Sequence, residues 1–134
     1  MSDHVRSAGI APALVLCSTA RRATETLDAI LPALEPPPDV RREDELYGAT
    51  ADELVRRLRD IPPAVPSALV IGHNPGIESA ALVLTGSGDP SLLARLREKM
   101  PTGGLATLEL DGEWTEAAPG TARLLAFVVP RELS

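Results

Sequence analysis

Two short polar stretches carry the residue types that handle phosphate. In Cys17-Ser-Thr-Ala-Arg-Arg-Ala-Thr-Glu-Thr26, two guanidinium groups follow a hydroxyl by three and four positions. Arg21 and Arg22 fall in the opening turn of an expected helix, where the helix dipole already places about half a positive charge; a further cation there costs a few tenths to about one kcal/mol. An anion relieves that conflict. Free backbone N–H groups, the Ser18 hydroxyl and a guanidinium fork together suit a phosphate. The plainer alternative is that both arginines face solvent or pair with Glu25 or Asp28 along the helix, and on this segment alone it is the stronger, because short patterns match by chance.

The second stretch is Gly72-His-Asn-Pro-Gly76. Lone histidines are mostly structural or surface residues, but His73 follows an apolar run that reads as a parallel strand, and open α/β sheets bind ligands at the C-terminal ends of such strands. The glycine before it permits close backbone approach and the proline after the asparagine stiffens the turn. An imidazole so placed can donate to a phosphate oxygen or hold charge beside it. If the two strands are parallel, Arg22 and His73 emerge at one sheet edge although 51 positions separate them.

The elements that must position these groups are legible from apolar runs and punctuation. Ala13-Leu-Val-Leu-Cys17 and Ser67-Ala-Leu-Val-Ile71 are short and apolar throughout, as expected of strands buried on both faces. Ser18 and Thr19 are expected N-caps of a helix whose stripe is Ala23, Leu27, Ile30, Leu31 and Leu34, stopped by Pro36-Pro-Pro. Val40 to Asp44 is a strand or an extended approach. Thr50-Ala-Asp-Glu53 is a capping box ahead of Leu54, Val55 and Leu58, and Pro62-Pro63 closes that helix. Ile77, Ala80, Ala81 and Leu84 mark another helix, and Asp89-Pro90 opens one more, running to about Glu98. From Leu105 on, Asp111-Gly and Pro119-Gly turns separate runs that read as strands in hairpin connection, Trp114 among them. The expected architecture is a three-layer α/β/α domain with a mostly parallel sheet and an antiparallel C-terminal edge.

Composition narrows the function classes. The 134 residues suffice for one domain, residues 1–134, and are too few for two. A formal charge of −6 leaves little room for the cationic face that nucleic acid requires. No apolar run approaches the roughly 20 residues of a membrane span, and the N-terminus lacks the apolar core of a signal peptide, so no membrane partner and a cytoplasmic location are expected. One cysteine and two histidines rule out an internal disulfide and Cys/His-rich zinc patterns; neither a metal nor a cofactor is expected. Aromatics are 2% of the chain, so the core is built from Ala, Val, Leu and Ile, and stacking platforms are scarce.

Strand-Cys-Ser-x-x-Arg-Arg-Ala-x-x-Thr, then strand-Gly-His-Asn-Pro-Gly, then Pro101-Thr-Gly-Gly-Leu-Ala-Thr-Leu-Glu-Leu resemble the phosphohistidine phosphatase (SixA-type) branch of the histidine phosphatase superfamily. The resemblance runs from about Ala8 to Glu132. It implies a phosphohydrolase acting on a phosphoprotein or a small phosphoester through a phosphohistidine intermediate. It also implies that Ser18 and Arg22 bind phosphate, that His73 contacts the transferred phosphoryl group, and that Thr102 lies at the pocket rim.

The family's first motif, a strand ending in Arg-His-Gly or Arg-His-Ala whose histidine attacks phosphorus, is absent. His4 has no apolar run before it and lies only about nine residues ahead of the Ala13 strand, so it does not fill that role. By resemblance the chain starts within the family's first helix, and the expectation is an N-terminally truncated form, inactive as it stands. The strand would otherwise come from a partner or an oligomer, by augmentation. Glu45 lies near where some relatives carry a pocket carboxylate, with a solvated glutamate the equal alternative, so the general acid is unassigned. The short stretch between Arg22 and His73 predicts an open pocket. The competing classes are a non-catalytic phosphate- or phosphoprotein-binding module and a structural subunit that pairs its exposed strands.

Overall fold

The computed structural model describes residues 12–73, 76–98, 105–110 and 112–128. Its first sheet forms around β1 (Leu14–Ser18), whose five residues are all buried. On one side β1 pairs in parallel with β2 (Asp39–Glu43), from Leu14 opposite Asp39 to Ser18 opposite Glu43. On the other it pairs in parallel with β3 (Ala68–Ile71), from Leu14 opposite Ala68 to Cys17 opposite Ile71. The order is therefore β2-β1-β3. Side chains along β1 alternate between two apolar clusters, as pleat geometry requires. Val15 and Cys17 pack with Ala23, Leu27 and Ile30 of helix α1 (Arg21–Ile30). Leu14 and Leu16 pack with Leu54 of α2 (Ala51–Arg59) and Ala80 of α3 (Gly76–Leu84).

A second sheet has the order β4-β6-β5. β5 (Leu105–Leu110) and β6 (Ala122–Val128) are antiparallel, and the short β4 (Thr85–Gly88) runs parallel to β6. Helix α4 (Pro90–Glu98) packs Leu96 with Ala81 and Leu124. Helix α3 joins the two halves, since Ala80 belongs to the first core and Ala81 and Leu84 belong to the clusters under β6. Among the described residues no helix is long and apolar enough to cross a membrane.

The two apolar runs form parallel strands, the capping box at Thr50 forms with Glu53, and the Asp89-Pro90 helix runs from Pro90 to Glu98. Four details differ from the sequence expectation. Ser18 is the last residue of β1, and the N-cap of α1 is Ala20, with no side-chain capping bond. Helix α1 stops at Ile30 because Pro32 cannot continue its hydrogen-bond ladder; a 3-10 turn over Leu31–Ala33 carries Ala33 and Leu34 into the core. Trp114 lies in a 3-10 turn rather than a strand, donating its indole N–H to the Val65 carbonyl at 2.7 Å. The Thr-Gly-Ser-Gly strand β4 has no apolar alternation to announce it.

Leu27 is fully buried against β1. Leu27→Ala is expected to cost about 2–5 kcal/mol, from lost transfer energy and an unfilled cavity. Urea unfolding followed through Trp114, the single tryptophan, measures it.

Candidate active site

Because β1 and β3 are parallel neighbours, both chains leave the sheet at the same edge. Ser18 ends β1, and His73 stands two residues past Ile71, the end of β3. Ser18 Oγ and His73 Nε2 share a hydrogen bond at 3.0 Å. Ser18 is the one buried polar residue among those described, and Oγ also accepts the Ala20 N–H at 3.2 Å. That second bond fixes the hydroxyl's orientation. When Nε2 carries a proton and donates to Oγ, the serine's own proton is free for an incoming anion. The His73 carbonyl accepts the Ile77 N–H at 2.8 Å, which anchors the histidine to the start of α3.

The start of α1 is the second component. A helix leaves its first N–H groups without intrahelical partners, and here the N-cap supplies no side-chain acceptor and the first turn holds no acidic residue. Helix α2 shows the opposite solution: Asp52 and Glu53 occupy its first turn, and Thr50 and Glu53 cap it reciprocally. The two adjacent arginines have separate fates. Arg21 pairs with Glu25 at 2.9 Å along the exposed side of the helix. The Arg22 side chain has no ion pair or hydrogen bond among the described residues, and it is exposed. One arginine follows the plainer alternative and the other stays unengaged at a positive helix end.

Two features had no motif to reveal them. Glu43 sits opposite Ser18 at the end of β2, where a bare carboxylate would repel any anion. Arg57 holds it in a two-pronged ion pair, Nε to Oε1 at 2.6 Å and an Nη to Oε2 at 2.9 Å, with the two side chains only 21% and 18% exposed. That hydrogen bonding, outweighing partial burial, raises the Arg57 guanidinium above its ordinary range. The other feature is Tyr47, whose ring centre lies 5.7 Å from that of His73 at an interplanar angle of 53°. Its only sequence signal was that the chain has a single tyrosine, close to Glu45.

Cys17, next to Ser18, is a buried free thiol. Burial pushes its thiol up, more than the nearby Arg42 lowers it. The protonated thiol points at the Ser18 and Ala23 carbonyls, at 3.3 and 3.5 Å. Glu45 is exposed. Thr102 and His4 lie outside the described residues. A cleft lined by Gly112, Glu116, Ala117, Gly120 and Thr121 includes none of the site residues.

No protein-family model matches the chain. An uncharacterized protein of Mycobacterium leprae is 42% identical over 118 residues, covering 87% of this chain and 71% of its own. One of Mycobacterium tuberculosis is 37% identical over 139 residues, covering 95% and 85%. Among solved structures, a candidate phosphohistidine phosphatase SixA from Nakamurella multipartitia superposes with a TM-score of 0.80 at 31% identity, over 96% of this chain and 77% of that one. The chain belongs to the SixA-type histidine phosphatase family. A second SixA-type structure, from Agrobacterium tumefaciens, has a TM-score of 0.76 at 29% identity, covering 96% and 75%. The fold is shared with a protein histidine phosphatase SixA complexed with tungstate, with a TM-score of 0.75 at 20% identity, covering 99% and 78%. In this SixA-type chain, mixed α/β with one parallel and one mixed sheet, the Ser18–His73 bond sits where the neighbouring parallel strands β1 and β3 end.

Arg57→Ala leaves the Glu43 carboxylate, 18% exposed, without its partner. The expected loss is about 1–3 kcal/mol at pH 7, between the exposed and the fully buried case. Urea unfolding of the variant and the wild type at pH 7 measures the difference.

Proposed function

We propose that this chain carries the phosphate-holding part of a metal-independent phosphatase that works through a phosphohistidine intermediate, acting on a phosphoprotein or a small phosphoester in the cytoplasm. The observation that carries this is the Ser18–His73 hydrogen bond, formed at the ends of two parallel strands beside an uncapped helix start. In this scheme Arg22, His73 and the Ser18 hydroxyl bind the equatorial phosphoryl oxygens, with Thr102 at the rim. The Ser18 hydroxyl and the His73 ring are held by their mutual hydrogen bond before an anion arrives, and donors placed in advance lower a phosphoryl-transfer barrier.

Phosphoryl transfer by this route also needs an attacking imidazole. Its nitrogen forms the P–N bond as the bond to the leaving group breaks; the leaving group departs with a proton, and water then cleaves the P–N bond to give phosphate. The 134 residues hold two histidines, and neither stands in an Arg-His-Gly or Arg-His-Ala sequence. We place the nucleophile on a strand with that ending, encoded in frame upstream. Among the described residues β3 and β5 each have a strand neighbour on one side only, so each keeps an edge on which such a strand, or one from a partner, can pair. With it the domain takes the three-layer α/β/α form, and the 134 residues alone bind phosphate without turning it over. The second possibility, a phosphate- or phosphoprotein-binding module without chemistry, is favoured by the same site standing without a nucleophile.

Assays of the 134-residue chain and of the upstream-extended form, on a phosphohistidine protein and a chromogenic phosphoester with chelator present, separate these possibilities. The extended form is expected to hydrolyse both and the short chain neither. Equal activity of the two lengths, or loss of activity to chelator, would overturn the mechanism. An extension lacking the motif leaves the binding module. In the active form Arg22→Ala should lower kcat/KM by about 10²–10³, on the order of 3–4 kcal/mol of transition-state stabilisation, and His73→Ala should be comparably impaired.

A further inference from the structure

Tyr47 is a large aromatic that stands largely exposed. It is 66% exposed, while Leu46 before it and Ala49 just beyond it are buried. The chain around it is pinned. Its own N–H donates to the Asp44 carbonyl at 3.0 Å, and Gly48 takes φ +67°, a conformation that costs glycine nothing. The Ala49 carbonyl packs so closely on Gly76 that a Cβ there would collide with it, which ties the Tyr47 segment to the start of α3, three residues after His73. A ring placed by buried neighbours on both sides and by a backbone contact is positioned rather than frayed.

Its position is against His73, at 5.7 Å between ring centres and 53° between planes. A tilted pair of this kind covers only part of the tyrosine ring. The remainder faces solvent beside the imidazole that, in the function proposed above, contacts the phosphoryl group. A group attached to a phosphoryl held at His73 has that exposed face of the ring within reach. A flat ring gains free energy beyond area burial when it meets another flat ring. In a chain with 2% aromatics, a tyrosine kept exposed beside His73 is a feature that packing does not require.

We infer that Tyr47 is the specificity-determining wall of the site: it contacts the leaving group and favours phosphoryl groups carried on planar rings, imidazole or aryl, over those carried on alkyl chains. This rests on the phosphate site proposed above, and the two can fail separately. The probes are inorganic phosphate, methylphosphonate and phenylphosphonate, titrated calorimetrically into the 134-residue chain. Phenylphosphonate is expected to bind about 3- to 10-fold more tightly than methylphosphonate, the range that one ring contact supplies. Tyr47→Ala should bring that ratio to near one through loss of phenylphosphonate affinity, and Tyr47→Phe should retain it. A wild-type ratio near one, a ratio unchanged in Tyr47→Ala, or parallel loss of both phosphonates overturns the role of Tyr47. If phosphate binding in those same experiments is abolished by His73→Ala, the site itself stands regardless. If none of the three anions binds, the site and the role of Tyr47 fall together.

Discussion

Everything at the candidate site follows from how β1 is enclosed. Its five residues are buried, it is hydrogen-bonded along both edges, and its side chains alternate between two separate cores. A strand so confined cannot shift register by one residue without turning Leu14 and Leu16 into the core that holds Val15 and Cys17. Its C-terminal end is therefore firmly positioned, and Ser18 occupies it. The serine transmits that rigidity to His73 through one hydrogen bond. Preorganisation of this kind is what makes a polar site effective, because the groups need not reorganise when charge arrives.

The electrostatics are local. With a formal charge of −6 the chain as a whole repels anions, yet at physiological salt charges more than about 8 Å apart are largely screened. The local charge is set by α1, which has an uncapped N-terminus and an unengaged guanidinium, and by Arg57, which pairs with Glu43, the β2 residue opposite Ser18. The pairing of Glu43 with Arg57 serves the site as much as the fold. Arg21, one position from Arg22, spends its charge on Glu25 at the exposed surface, where a pair contributes little.

Local and periodic features were legible in the chain. The two apolar strands, the capping box at Thr50 and the Asp89-Pro90 helix start depend on interactions within a few residues, so the residue types announce them. Ser18 and His73 could be picked out for the same reason: each stands where an apolar run meets a polar turn. Features defined by a distant partner left no such trace. Trp114 looked like a strand residue because its partner is the Val65 carbonyl 49 positions away, and β4 exists because β6 lies beside it. The exposed tyrosine carries no periodic signal at all.

The sequence by itself determined the parallel α/β core and the family resemblance, because apolar spacing, turn residues and the family motifs are written in adjacent positions. Only the tertiary structure decided which groups meet. It joined Ser18 to His73 across 55 positions, separated Arg21 from Arg22, closed Arg57 over Glu43 and set Tyr47 against the imidazole. Each of those outcomes depends on which strands are neighbours and how far each chain runs before it turns, and that is settled by packing the whole core rather than by any stretch of residues.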